Sequence, residues 1–220
     1  MSKQRIVTLV IAAIGVGLIV VGSYYKITFK TTQKELVEVI EENIDNEDFT
    51  IEVPESAIKE YEKASKKDPD QFPKIDQSTF DGKYYMSKRV KATGIIELPS
   101  IKVKAGVIEG VSPRELAISA GRYTTSATPD KEEGNLVVAS HVSGPVPVFE
   151  NLHKMKIGDE IKFYYKGKTY KYQVTKKFVA EPTQVEILDY APGQKIITLF
   201  TCTNKGKQRT VVQGDFVGVE

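Results

Sequence analysis

Three textures follow one another along the chain. Residues 6–22 (Ile6-Val-Thr-Leu-Val-Ile-Ala-Ala-Ile-Gly-Val-Gly-Leu-Ile-Val-Val-Gly22) carry no charge. At about 1.5 Å rise per residue such a helix is roughly 25 Å long, and Ser23, Tyr24 and Tyr25 bring it to about 30 Å, the thickness of a bilayer core. The two tyrosines then fall in the interfacial belt, and Lys3 and Arg5 favour an inside N-terminus. The competing reading is a cleaved leader, whose apolar region is usually shorter. The pattern therefore predicts a cytoplasmic tail and transmembrane anchor over 1–25, single-pass, with the rest of the chain outside the cell. No second long apolar run is present.

Residues 26–88 are polar and mixed in charge. Glu35-Leu-Val-Glu-Val-Ile-Glu-Glu and Ala57-Ile-Lys-Glu-Tyr-Glu-Lys have helical spacing with few apolar positions. Asp68-Pro-Asp and Phe72-Pro interrupt any helix. The expectation is an extracellular spacer with weak helices and a solvated acidic surface over 41–48.

From Val90 short β-rich runs alternate with Gly, Pro and Asn turns. Seven such runs lie within 89–220, the texture of a closed all-β barrel of seven to eight strands with short helices. Lys166-Gly167 marks a hairpin. Ser112-Pro113-Arg-Glu-Leu116 reads as an N-cap with proline at the first helical position.

Composition narrows the function. Thirty-one basic and 29 acidic side chains leave a net charge of +2, too balanced for bulk electrostatic binding of nucleic acid. One cysteine, Cys202, can neither close an internal disulfide nor complete a cysteine-rich zinc site. Only His141 and His153 are available as imidazoles. His141 ends the apolar run Leu136-Val-Val-Ala-Ser, and His153 lies in a polar stretch, so His141 is the better partner for a nucleophile.

The last two strands carry the chemistry. Cys202 ends Ile196-Ile-Thr-Leu-Phe-Thr-Cys, Arg209 opens the next strand, and Thr203-Asn-Lys-Gly-Lys-Gln lies between them. In an antiparallel hairpin with Cys202 opposite Arg209, Phe200 faces Val211 and Thr198 faces Gln213. Opposed side chains share a face with Cβ atoms about 4.5–5.5 Å apart. A guanidinium would then stand beside the thiol, and a slip of one residue would separate them. Each residue also has an inert reading: a buried thiol, a hydrogen-bonded histidine, a solvated arginine.

Thr198-Leu-Phe-Thr-Cys202 with Arg209 downstream resembles the sortase signature. Asn135-Leu-Val-Val-Ala-Ser-His141 resembles the sortase strand that delivers a histidine. Phe149-Glu-Asn-Leu-His-Lys-Met-Lys-Ile-Gly-Asp159 and Ala92-Thr-Gly-Ile-Ile-Glu-Leu-Pro99 are similar to two further family segments. The resemblance covers about 90–217 and implies a class A-like or class D-like membrane-anchored cysteine transpeptidase. Such an enzyme cleaves a Leu-Pro-x-Thr-Gly-like sorting signal between Thr and Gly. It joins the acyl group to a peptidoglycan-precursor amine, attaching surface proteins to the cell wall without metal or cofactor. Matched by position, Cys202 is the nucleophile, His141 the acid and then the base, and Arg209 the oxyanion and substrate anchor. Thr201 precedes the nucleophile. Val185, Ile187 and Leu188 lie in the loop that would wall the signal, with core packing as their alternative. Calcium, bound by some class A members, would find too few oxygens in Glu133, Asn135 and Asp189. A cysteine endopeptidase using water, or a non-enzymatic membrane-tethered wall-binding domain, remain the alternatives.

Overall fold

The computed structural model describes residues 29–45, 49–53, 89–143 and 146–220, together with residues 23, 27 and 55. Apart from Ser23, the expected anchor over 1–25 lies outside the described residues, as does the helical stretch from Ala57. Among the described residues no helix is long and apolar enough to cross a membrane.

Helix α1 (29–41) is followed by strand β1 (Thr50–Glu52). The remaining strands are β2 (Arg89–Leu98), β3 (Val103–Glu109), β4 (Ala120–Arg122), β5 (Gly134–Ala139), β6 (Glu160–Tyr165), β7 (Lys168–Ala180), β8 (Lys195–Thr203) and β9 (Gln208–Val219), with helix α2 (Pro113–Leu116) between β3 and β4. The sheet order is β1-β2-β3-β4-β5-β8-β9-β7-β6, and β6 pairs back onto β2. Strands β2 to β9 thus close into an eight-stranded barrel, which removes the open edges that a flat sheet would expose. The β3–β4 and β5–β8 pairings are parallel and the others antiparallel.

Side-chain alternation sorts each strand between the barrel interior and its outer face. Ile197 and Leu199 of β8, Leu136 and Val138 of β5, Val212 of β9 and Phe163 of β6 form the interior. Each such aliphatic or aromatic group contributes about 1.5–3 kcal/mol on burial. Strand β2 bulges between Ala92 and Gly94, where it shares its edge between β1 and β6. A Cβ at Gly94 would lie 2.2 Å from the Tyr164 carbonyl oxygen, so that crossing admits only glycine. Lys166 and Gly167, both at positive φ, make the predicted two-residue turn between β6 and β7. The predicted start of α2 is also present. The Ser112 hydroxyl bonds the Glu115 carboxylate, and the Ser112 amide donates to it at 3.2 Å, the carboxylate half of a capping box at the helix start.

Two short strands, β1 and β4, escape the sequence pattern. The larger difference concerns the segment expected to be a spacer. Leu36, Val37 and Ile40 of α1 are buried with Ile51, Val53, Val90, Ile95, Ile108 and Ile118 in a second apolar cluster outside the barrel. The few apolar positions of α1 fall on one stripe and meet a greasy outer patch of β2 and β3. Gln33 reinforces the seam: its Nε2 donates to the Ile118 carbonyl at 3.0 Å, and its Oε1 accepts from the Ser119 hydroxyl at 2.9 Å. Residues 41, 42 and 45 are exposed, as expected for the acidic surface.

Candidate active site

The parallel β5–β8 pairing and the antiparallel β8–β9 pairing set Ala139 beside Phe200 and Phe200 beside Val211. Cys202 is directly opposite Arg209, and Thr198 opposite Gln213, the register expected from the sequence. Along β8 the interior takes Ile197, Leu199 and Thr201, while Phe200 and Cys202 face outward. The thiol is therefore on the outer surface at the end of β8, partly exposed and free of any disulfide. The strands run one residue further than the pattern indicated at either side, so the turn is 204–207 rather than six residues. Asn204, Lys205 and Gly206 are all at positive φ.

This tight turn fixes Arg209. Its Nη1 donates to the carbonyls of Gly206 at 2.9 Å and Gln208 at 3.1 Å. Among the described residues no acceptor takes Nε or Nη2, which leaves donors for an incoming oxygen. Gln208 next to it donates to Glu181 at 2.8 Å, tying the hairpin to the β7–β8 loop.

His141 stands just beyond β5. Its segment is stitched to β8: the Ser140 amide donates to the Phe200 carbonyl at 3.3 Å, and the Thr201 hydroxyl donates to the Ser140 carbonyl at 2.7 Å. The His141 carbonyl in turn accepts from the Phe149 amide at 3.2 Å. The residue is half-buried, and its desolvation holds the imidazole below the ordinary histidine range, favouring the neutral ring.

Cys202, His141, Arg209, Thr201, Val185, Ile187 and Leu188 all border one groove of about 270 Å³. The loop wall is a 3-10 turn, Val185–Leu188, with no buried residue, so these three side chains are not core. Val185 is 61% exposed and lines the groove. The wall is moored from below by Asn135, whose Nδ2 donates to the carbonyls of Ile187 and Asp189 at 3.1 and 3.2 Å. Of the groove's other apolar members, Tyr123, Val111 and Leu116 were not singled out from the sequence. Tyr123 packs on Phe200 with ring centroids 5.8 Å apart. It follows Arg122, a buried residue of β4 that pairs with Glu109 at 2.6 Å. Val111 and Leu116 flank the Ser112-Pro helix start, which was visible, but the crossing that carries them to the groove was not.

Glu133 accepts from the Gly193 amide and Asn135 holds the loop. Among the described residues no cluster of three or more His, Cys, Asp or Glu is placed to hold a metal ion.

Known proteins supply the context for this arrangement. The Sortase domain family model matches residues 96–217. The chain is 25% identical over 134 residues to "Sortase A" of Streptococcus agalactiae, covering 59% of this chain and 54% of that protein. It is 26% identical over 151 residues to "Sortase D" of Bacillus subtilis, covering 67% and 74%. The chain thus spans about half the length of the first of these relatives. Among solved structures, a Clostridium perfringens Sortase D5 transpeptidase superposes with a TM-score of 0.60 at 24% identity, over 86% of this chain and 99% of that one.

Proposed function

The chain belongs to the sortase family, and from that premise we propose that it is a membrane-anchored cysteine transpeptidase attaching surface proteins to peptidoglycan. Its substrate is a Leu-Pro-x-Thr-Gly-like sorting signal, cut between Thr and Gly. The observation that carries the reading is the Cys202–Arg209 register, with His141 bordering the same groove.

The residues divide the work as follows. The Cys202 sulfur attacks the threonine carbonyl carbon while the thiol proton passes to His141. Charge develops on the carbonyl oxygen, and the unengaged Arg209 donors stabilise it. Collapse breaks the C–N bond, and His141 returns the proton to the departing glycine amine. The product is an acyl thioester, which conserves part of the peptide-bond energy. An incoming wall amine then attacks that carbonyl, loses its proton to His141, and the thiol is released protonated. No external energy source enters. Val185, Ile187 and Leu188 receive the apolar Leu-Pro end of the signal, and the 6–22 run holds the enzyme on the cell membrane with the barrel outside.

Incubating the protein with a Leu-Pro-x-Thr-Gly peptide and an amine nucleophile tests this. The expected product joins the acyl fragment to the amine, and Cys202→Ala forms none. Equal turnover by that variant removes the mechanism. Hydrolysed peptide alone in the presence of saturating amine makes the protein an endopeptidase, and no cleavage of any signal variant makes it a binding domain.

A further inference from the structure

One surface lies outside the groove and combines free cations with exposed apolar side chains. Lys30 and Lys34 of α1 border a cleft of about 370 Å³ together with Lys102 of the β2–β3 turn and Lys104 of β3. Lys34 pairs with Glu38 at 3.5 Å and Lys104 with Glu41 at 2.7 Å. Lys30 and Lys102 have no ion-pair partner among the described residues. Beside Lys102, the Ser100 hydroxyl and the Lys156 amide both bond the Asp159 carboxylate, which brings the loop of Lys156 and Ile157 onto the same surface. Ile157 is 63% exposed and Ile27, just ahead of α1, is 65% exposed. Each is an aliphatic side chain open to water.

The pairing directions show which end of the barrel this is. Strand β3 runs parallel to β4, β4 antiparallel to β5, and β5 parallel to β8. The start of β3 therefore lies at the same end as the finish of β5 and β8, where His141 and Cys202 stand. Strand β6, antiparallel to β2 as β3 is, also begins there, just after Ile157. The first turn of α1 reaches this end too, since Phe29 packs against the barrel core and lines the same cleft as Lys102 and Val103.

We propose that Lys30, Lys102 and Lys156, with Ile27 and Ile157, form a docking surface for an anionic phospholipid bilayer, which turns the catalytic end of the barrel toward the membrane. The inference rests on the anchor reading only for proximity: a helix from residues 6–22 would deliver Lys30 within about 12 Å of the bilayer surface at 1.5 Å per residue. Basic side chains there are drawn to anionic headgroups, and the isoleucines enter the interfacial region. A wall precursor carried on a lipid would then be presented at the mouth of the groove rather than across the barrel.

The test uses the full chain in a Cys202→Ala background, which is free of cysteine. A fluorophore is placed at Ile157→Cys, or at Glu132→Cys at the opposite end as a control. Each protein is reconstituted in phosphatidylcholine vesicles with or without phosphatidylglycerol, containing headgroup spin-labelled lipid as quencher. Quenching at 157 is expected to exceed that at 132 several-fold in the anionic vesicles. It should fall toward the control in 0.5 M salt (Debye length about 4 Å) and in Lys30→Glu/Lys102→Glu/Lys156→Glu. The triple arginine variant should retain it. Equal quenching at both sites, or quenching indifferent to the charge reversal, overturns the proposal. Failure of the chain to float with pure phosphatidylcholine vesicles overturns the anchor reading separately. The docking surface then predicts flotation with phosphatidylglycerol vesicles that the triple glutamate variant loses, and no flotation there overturns it as well.

Discussion

The Thr201 hydroxyl donates to the Ser140 carbonyl at 2.7 Å, joining the residue before the candidate nucleophile to the residue before the candidate base. Both residues are buried. The bond therefore works in a low-dielectric setting, and it holds two strand ends in one relative position. Thr201→Val keeps the shape and leaves the carbonyl without its donor. The expected loss is about 1–3 kcal/mol of stability, read by urea denaturation, with transfer falling mainly in kcat. Thr201→Ser should recover most of both. A valine variant as active and as stable as the parent would make Thr201 a substrate contact or a bystander.

Arg209 is held by Nη1 on the carbonyls of Gly206 in the turn and Gln208 at the start of β9, so its remaining donors are pre-aimed. Lysine offers neither the fork nor the second donor at that angle. Arg209→Lys should lower kcat/KM by roughly 10²–10³, the scale of losing one oxyanion donor, with little change in melting temperature.

Asn135 links the β5 strand to the loop wall through two carbonyls. Asn135→Ala frees that wall while leaving Cys202, His141 and Arg209 in place. KM for the signal peptide should rise severalfold and kcat change less. A pure kcat effect would mean that the wall does not hold the peptide.

Partial burial holds the His141 ring's folded-state pKa below the ordinary value of about 6.5. As pH falls below about 6.5, the unfolded chain takes up a proton that the folded chain still refuses. Stability from this site is therefore full above that pH and declines as pH drops toward the folded-state pKa, where the decline levels off. His141→Asn should flatten the slope of the urea midpoint between pH 7 and pH 5.5. An unchanged slope would mean that the ring is solvated.

Leu36 and Ile40 are fully buried against β2 and β3. Leu36→Ala should cost about 2–5 kcal/mol, measured by chemical denaturation of the whole chain. A cost near zero would make α1 an appendage after all.

These residues also show what a sequence can carry. The Cys202–Arg209 register was only half legible: alternation over Thr198, Phe200 and Cys202 sets which face each side chain takes, but slips of two residues keep that face, and the pairing with Arg209 was supposed and then supported by the family resemblance. The cap at Ser112 and the turn at Lys166-Gly167 were legible because each is decided within a few residues. Strand β4 was not, since Ala120-Gly-Arg122 is too short to alternate and is a strand only by virtue of its neighbours. The burial of α1 was half legible: Leu36, Val37 and Ile40 define a stripe, but the outer patch of Ile95, Ile108 and Ile118 that receives it comes from distant strands. The wall role of Val185, Ile187 and Leu188 stayed open because apolar residues near a turn serve a core or a cleft equally well.

The β1–β2 pairing has a further use. Glu52 and Arg89 sit opposite each other, and their side chains approach to 3.8 Å. Whatever lies between them departs from and rejoins the domain at a single point. A splice into the intervening sequence would therefore load β1, the outermost strand of the sheet, and not the β2–β6 seam that closes the barrel.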